Sequence, residues 1–462
     1  MVKKLFHQGL LIGLLVLLLL GIGGAYHTVA QRIAAPRPPN FIILLGEGQG
    51  WNSTSVQMDD TVPASKSSFI QTPNLERLAR EGMRFANAYA ASPRCTPSRA
   101  ALLTGKTPAL LRMTFIAVRD LDNSRRLIEP SPVLELPESE MTIAELLKGA
   151  GYATAHFGKW HVGRANPTRH GFDENDGANG SGGPNTTNPK QVYLTTELGI
   201  DFVSRQTKAG KPFLLQISQH GGGSVEDARP ETVAAIRRRG VNDLQLADAA
   251  IAEDVDINIG LLLKKLDELG IADNTYVIYT TDHGGYGRIN APLNNGKGSL
   301  LEGGIRVPLI IRGPGVKAGV CSHTRVAGID LLPTIAELAH LKTSLPKSIE
   351  GGSLAPVLRS LGKAAVKRPR EELIFHFPHY DYENDGPASV IFLGHLKAYK
   401  RYETGELRLY DLAKDLGEQH DLAKQMPAQA AAMERRMNEY LKAVNAQMAK
   451  VNPNYDASKA RK

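Results

Sequence analysis

The chain has 462 residues, 42% of them hydrophobic and 22% charged, the profile of an ordinary globular protein long enough for two or three domains. Its formal charge of +8 suits a polyanionic substrate or a membrane surface without specifying either, and no feature points to nucleic acid. The chain has two cysteines, Cys95 and Cys321, too few for a disulfide framework.

The N-terminus reads Met-Val-Lys-Lys, then a nearly unbroken apolar run from Leu10 to Leu20, then small residues towards Tyr26. A basic start, apolar middle and small-residue end are the three parts of a secretory signal, with cleavage after Ala25 or Ala30. The run is near the short limit for a spanning helix, so an uncleaved anchor is the second reading of residues 1–30. In both cases the body of the protein is expected outside the cytoplasm, periplasmic or extracellular, which makes the export machinery a partner. Residues 31–38, rich in Ala and Pro, read as a stiff linker.

Phe41–Leu45 is a short continuous apolar run ending in Gly-Glu-Gly-Gln-Gly, the pattern of a buried parallel strand that delivers residues at its C-terminal end. A helix is expected over residues 72–80, with Pro73 in its first turn. Further strands are expected at Ala153–Phe157, Phe213–Ile217 and Tyr276–Thr280. A long helix from about Asp248 to Leu269 is marked by Ile251, Val255, Ile259, Leu262, Leu263 and Leu266 and stopped by Gly270. Gly177–Gly183 reads as a flexible Gly-rich loop. Alternating helix and strand predicts an α/β fold, a large, mostly parallel mixed sheet flanked by helices over residues 39–345, with ligands at the strand ends. From about Leu345 the texture changes to short strands over residues 389–409 and an amphipathic helix over about 427–448. Residues 346–462 are therefore expected to form a smaller α+β domain.

The densest signal is SPRCTPSRAALLTG, in which Cys95 and Arg99 flank Thr-Pro-Ser ahead of a helix-forming run. A helix starting there sets Cys95 at an N-terminus, where free N–H groups and the helix dipole favour anions, and lets Arg99 reach back from one turn later. Spacing alone is also compatible with a small buried thiol.

With its Leu-Thr-Gly continuation, the segment resembles the signature of the sulfatases, whose fold belongs to the alkaline-phosphatase-like superfamily. GKWH at residues 158–161, GKGSLLEGGIRVPLI from Gly296 and LYDLAKDLGEQHDLA from Leu409 are similar to further family motifs, so the resemblance covers nearly everything after Pro39. It implies that Cys95 is converted to formylglycine by a maturation enzyme, a transient partner. The aldehyde's hydrate then attacks the sulfur of a sulfate ester and afterwards expels sulfate. It further implies that Arg99 is a catalytic residue reaching back towards residue 95, that Lys159 pairs with a sulfate oxygen and the nucleophile, that Lys297 contacts the sulfate and the leaving-group oxygen, that His161 assists collapse of the sulfated intermediate, and that a calcium ion is held by Asp282 and His283, at the end of the strand Tyr276–Thr280, by residue 95 and by a carboxylate, Glu47, after the first strand. Glu302 and Arg306 are expected to hold their loop.

Two positions depart from the family pattern. Where it usually has Asp-Asp after the first strand, this chain has Glu47-Gly48; Glu47 can replace the first carboxylate, but Gly48 cannot replace the second, leaving Gln49, Asp59, Asp60 or water as substitutes. Gly48 could instead let the backbone approach the metal or substrate closely. In FLLQISQHGGG, Gly223 aligns with a histidine of the family, and His220 lies three residues earlier, open to either a catalytic or a packing role. Phe375–Tyr380 combines imidazoles and aromatics, as either a sugar-stacking subsite or a packing cluster. The expected function is hydrolysis of a sulfate ester on a small molecule or polysaccharide, with carbohydrate as the expected class. The alternatives are a phosphate or phosphonate ester hydrolase of the same fold and a non-catalytic binder of sulfated polymers.

Overall fold

The computed structural model describes residues 37–178, 188–381, 384 and 386–460. The apolar N-terminal segment, linker residues 31–36 and positions 179–183 of the Gly-rich loop lie outside the described residues. Pro39–Lys462 cluster as one compact unit.

Asn40–Gly46 (β1) is buried at every position, and its alternate residues enter two different cores: Phe41, Ile43 and Leu45 one, Ile42 and Leu44 the other. That division explains the unbroken apolar run, because a strand covered on both faces has no polar side to display. The other strands of its sheet are Met83–Phe85 (β2), Ala153–Gly158 (β3), Glu174–Asn175 (β4), Phe213–Ser218 (β5), Thr275–Thr281 (β6), Leu309–Arg312 (β7) and Val320–Ser322 (β8), in the order β8-β2-β7-β6-β1-β5-β3-β4. β1 pairs in parallel with β5 and β6, opposing Phe41 to Leu214 and to Tyr276, whereas β7 runs antiparallel to both β2 and β6. The mixed, mostly parallel sheet is the architecture expected from the sequence.

Three helices matter for the site. Pro73–Glu81 (α1) and the long Asp243–Glu268 (α3) cover one face, α3 through Val255, Ile259, Leu262, Leu263 and Leu266. α3 begins earlier than the sequence pattern showed, because the Asn242 side chain accepts the Gln245 N–H and caps an exposed first turn. On the opposite face lies Cys95–Thr104 (α2), with Leu102 and Leu103 in the core and Gly105 ending it in the left-handed conformation.

After residue 345, Leu373–Phe377 (β9), Ala388–Leu393 (β10), Leu396–Arg401 (β11) and Leu407–Asp411 (β12) form an antiparallel sheet in sequential order. One face carries Ile374, Ile391, Ala398 and Leu409 against Met433 and Met437 of Pro427–Ala443 (α4), and the other packs on Tyr89, Ala101, Phe115, Leu300 and Leu301. Phe375 and Phe377 lie in that second layer, and His376 is bonded to Ser389 and to the Gln447 carbonyl. Phe375, His376 and Phe377 are therefore packing, and buried His379 stacks on Phe115.

Candidate active site

The C-terminal ends of four neighbouring strands and the N-terminus of α2 converge. Glu47 and Gly48 follow β1, Lys159 and His161 follow β3, His220 follows β5, and Asp282 and His283 follow β6. This is where a parallel sheet gathers side chains from segments far apart in sequence.

Arg99, one turn into α2 and 2% exposed, organises the floor. Its guanidinium donates to Glu47 Oε2 at 3.0 Å, Asp282 Oδ2 at 2.9 Å and the Lys159 carbonyl at 2.5 Å. Lys159 Nζ lies 2.9 Å from the same Glu47 Oε2. The outer oxygen of each carboxylate is thereby occupied, and the inner ones, Glu47 Oε1 and Asp282 Oδ1, are each 3.5 Å from His283 Nε2. Cys95 Sγ completes the group, 3.1 Å from Glu47 Oε1 and 3.3 Å from His283 Nε2.

These four ligand atoms lie within 4.8 Å of one another. His283 Nδ1 is 2.9 Å from the Gly284 carbonyl, a contact that takes the Nδ1 proton and leaves Nε2 to present its lone pair to the group. Electrostatics call for a cation at the same point. Burial opposes protonation of His283, yet Asp282 and Cys95 drive its pKa up to about 10, and burial and Glu47 push Asp282 up to about 7. Burial also opposes ionisation of Glu47, but Lys159 and the hydrogen bonds from His283 and Asp282 hold it well below its usual range. The donors fit one divalent cation, with further oxygens needed from water or substrate for the roughly six to eight that calcium prefers.

The structure explains Gly48. Its φ is +61°, and a Cβ there would meet His283 Cε1 at 3.0 Å, so the imidazole occupies the space a side chain at 48 would need. Gly48 N–H donates instead to Asp282 Oδ1 at 3.1 Å. None of the candidate substitutes joins the metal group: Gln49 accepts from Tyr279, Asp59 from Thr61, and Asp60 pairs with Arg84.

Around residue 95, burial and the Glu47 carboxylate work against ionisation, but His283, Lys159 and a hydrogen bond from His161 bring the thiol well below its ordinary pKa. Thr96 Oγ1 donates to the His161 carbonyl at 2.8 Å, which fixes that histidine at φ +54° beside the helix start. Lys297 Nζ lies 3.6 Å from Glu47 Oε1, and despite burial its pKa is raised by Cys95, Glu47 and Tyr286. Glu302 and Arg306 pair at 3.2 Å away from this centre, as expected of loop-holding residues.

A cleft of about 250 Å³ opens over the centre, with Glu47, Lys159 and Lys297 at its base and Gly221, Gly222 and Gly223 in its wall. Gly221 leaves room for Glu47, whose Cγ would sit 2.4 Å from a Cβ, and a Cβ on Gly223 would meet nothing within 4 Å. His220 is 2% exposed, and neither ring nitrogen has a hydrogen-bond partner among the described residues. Burial, with Arg99 and Lys159, lowers its pKa to about 4, so the imidazole is neutral near neutral pH. Lys190, Asp227 and Tyr286 also line the cleft and escaped the sequence reading. Tyr286 had a signal in its position just after Asp-His-Gly-Gly; Lys190 and Asp227, paired at 3.2 Å, had none.

A family model described as Sulfatase matches residues 39–341. The chain belongs to the sulfatase family. It is 33% identical over 368 residues to the N-acetylgalactosamine-6-sulfatase of Homo sapiens, covering 70% of this chain and 66% of that protein, about two thirds of the relative's length. It is 30% identical to a sulfatase of Formosa agariphila, over 95% of this chain and 93% of that one. In fold it is similar to Ps i-CgsB, solved in complex with k-i-k-neocarrahexaose (TM-score 0.73, 24% identity, 92% and 94% of the two chains). It is also similar to the PsFucS1 sulfatase from Pseudoalteromonas sp. (TM-score 0.67, 22% identity, 91% and 92%). Among the described residues no helix is long and apolar enough to cross a membrane.

Proposed function

We propose that this member of the family is an exported sulfuric ester hydrolase acting on a sulfated carbohydrate through formylglycine at position 95. The observation that carries the reading is residue 95 at a helix N-terminus, beside three cations and within reach of a divalent-metal donor set. Cys95 Sγ stands where the oxygen of the modified residue would lie, and the hydrate of formylglycine supplies one hydroxyl to attack sulfur and a second to drive release of sulfate. Glu47, Asp282, His283 and residue 95 would hold the metal, calcium on the family pattern, whose chemistry there is Lewis-acid stabilisation of negative charge.

The chain's own residues account for the rest. Arg99 fixes both carboxylates and the Lys159 backbone, so the floor is rigid before substrate arrives. Lys159 and Lys297 reach the cleft and draw the sulfate in, three cations with Arg99 against two carboxylates. His161, bonded to residue 95, takes the proton as sulfate departs. Protonation of the leaving alcohol falls to Lys297 rather than His220: Lys297 lines the cleft and keeps its proton, whereas His220 is buried and neutral. The chain names no sugar or sulfate position. The relatives' carbohydrate substrates support the class alone.

The test is mass spectrometry of the peptide containing Cys95 after expression with a formylglycine-generating enzyme, together with turnover of matched aryl sulfate and aryl phosphate. Thiol-to-aldehyde conversion with preference for sulfate is expected. An unmodified thiol, or clear preference for phosphate, overturns the reading in favour of a binder or a phosphoesterase.

A further inference from the structure

Four donors meet at the reaction centre, and they are not four oxygens. Glu47 and Asp282 each bring a carboxylate oxygen, His283 an imidazole nitrogen and Cys95 a sulfur. Calcium takes about six to eight oxygens, whereas a thiolate, an imidazole and two carboxylates make the four-coordinate set of a softer cation, zinc.

Spacing agrees with donor type. Around one ion with bonds of about 2.0 Å to nitrogen and oxygen and about 2.3 Å to sulfur, the edges of a tetrahedron are about 3.3–3.6 Å. Cys95 Sγ lies 3.1 Å from Glu47 Oε1 and 3.3 Å from His283 Nε2, and His283 Nε2 lies 3.5 Å from Glu47 Oε1 and from Asp282 Oδ1. The donors are also aimed before an ion arrives. Arg99 and Lys159 occupy the outer oxygen of Glu47, Arg99 occupies that of Asp282, and the Gly284 carbonyl holds His283 Nδ1. Outer bonds of this kind orient metal ligands. Asp282 Oδ1 accepts the Gly48 N–H at 3.1 Å and keeps a second lone pair, and Lys297 Nζ, 3.6 Å from Glu47 Oε1, is beyond hydrogen-bond distance of it. The side chains supplied stop at four. Gly48 adds none, His283 fills the space where one would lie, and Gln49, Asp59 and Asp60 are bonded elsewhere. The cleft, with Glu47 at its base, gives an ion its way in.

We infer that the chain whose Cys95 is still a thiol binds one zinc ion through Cys95, Glu47, Asp282 and His283, in preference to calcium. The thiol gives up its proton as the bond to the ion forms. Where residue 95 is formylglycine, a condition that rests on the reading above, an oxygen stands in place of the sulfur and the preference for zinc goes with it.

The test uses the full chain expressed without a maturation enzyme, its Cys95 confirmed as a thiol by mass, and titrated with cobalt(II) as a coloured stand-in for zinc. A sulfur-to-cobalt charge-transfer band in the near ultraviolet and the intense visible bands of a tetrahedral site are expected at one cobalt per chain. One equivalent of zinc should erase both, and an excess of calcium neither. Cys95→Ala is expected to lose the charge-transfer band and to bind zinc at least about 100-fold more weakly, no less than the loss of an outer-shell partner costs a metal site. Cys95→Ser, which keeps the shape and loses the sulfur, should do the same, so the result does not hang on the folding of one variant, and Cys321→Ser should keep the band. Cobalt bound without that band, a band that survives both substitutions of Cys95, or displacement by calcium as readily as by zinc overturns the inference, as does a converted chain that still prefers zinc. In protein coexpressed with a formylglycine-generating enzyme, conversion by mass and loss of the band are expected together. A thiol that stays unconverted there, with the band intact, leaves the zinc site standing and sinks the formylglycine reading instead.

Discussion

Glu47, Asp282, Arg99 and Lys159 at the sheet edge, and Glu302, Arg306, Lys397 and Glu418 between the loop after Lys297 and the antiparallel sheet, are two sets of withdrawn charge that are balanced differently. In the second set Lys397 Nζ lies 3.0 Å from Glu302 and 2.7 Å from Glu418. Arg306 and the Tyr89 hydroxyl take the remaining Glu302 oxygen at 3.2 and 2.8 Å, and Glu418 accepts the Glu302 N–H at 2.7 Å. Two cations meet two carboxylates, with the Lys397 and Glu302 side chains wholly enclosed. At the first set Lys297 adds a third cation, 3.6 Å from Glu47 Oε1, and the inner carboxylate oxygens also face a thiol and an imidazole. A closed, neutral set holds a loop in place; an open set with cations in surplus is poised for ligands that complete it.

Removing the nucleophile breaks the comparison most sharply. Cys95→Ala is expected to reduce sulfate release to background while leaving the thermal midpoint nearly unchanged, since the side chain is small and its neighbours Glu47 and His283 keep their other partners. Midpoint and turnover measured on one preparation check this, and residual activity near wild type would remove residue 95 as nucleophile. In the closed set the reverse holds. Lys397→Met leaves two carboxylates facing each other out of water and is expected to cost about 3–5 kcal/mol in denaturant unfolding, with turnover per folded molecule retained. Unchanged stability would show that these charges do not hold the loop.

Lys297 stands between the two sets, in the cleft on one side and at the start of the anchored loop on the other. Lys297→Met is expected to lower kcat about 10²–10³-fold, as for loss of one preorganised charge-stabilising donor, with little change in stability. The loss should grow as the leaving alcohol becomes more basic. His220→Ala should show no such dependence; if His220→Ala alone shows it, His220 and not Lys297 protonates the leaving group.

What the sequence made legible follows from how local each cause is. β1, β3, β5 and β6 are visible because strands buried on both faces are written as short apolar runs, while the roles of the residues at their ends came from the resemblance to the sulfatases. Glu302 and Arg306 were recognisable as loop-holding residues from their run. Lys397 was not, because a lysine in a strand carries no mark of the two glutamates that enclose it. Gly48 looked like a missing ligand because the imaging of His283 against it joins positions 235 apart in the chain. The Lys190–Asp227 pair at the cleft and the bidentate Arg94–Asp381 pair beside the start of α2 likewise arise only from folding. α4 ends at Ala443, short of the amphipathic pattern, because the chain turns at Asn445 with φ +50°.

The smallest expected effect concerns pH. Burial, with the neighbouring Glu302 carboxylate, raises the Glu418 pKa from an ordinary 4.5 to about 7, although Lys397 opposes the shift. A carboxyl that binds its proton more tightly in the folded state stabilises the fold fully below its unfolded pKa and loses that contribution as pH rises through the folded one. Wild-type stability is therefore expected to decline between about pH 4.5 and 7 from this group, and Asp282, raised to about 7, adds a decline in the same window. Glu418→Gln removes one of the two titrations and keeps a polar acceptor beside Lys397. Unfolding curves across that range should show a shallower decline for the variant, with the two proteins closest at the acid end; the difference between the curves isolates Glu418 from Asp282. A variant that loses more stability than wild type as pH rises would mean that ionised Glu418 is a net stabilising partner of Lys397, and the second set would then be held by charge on both of its carboxylates.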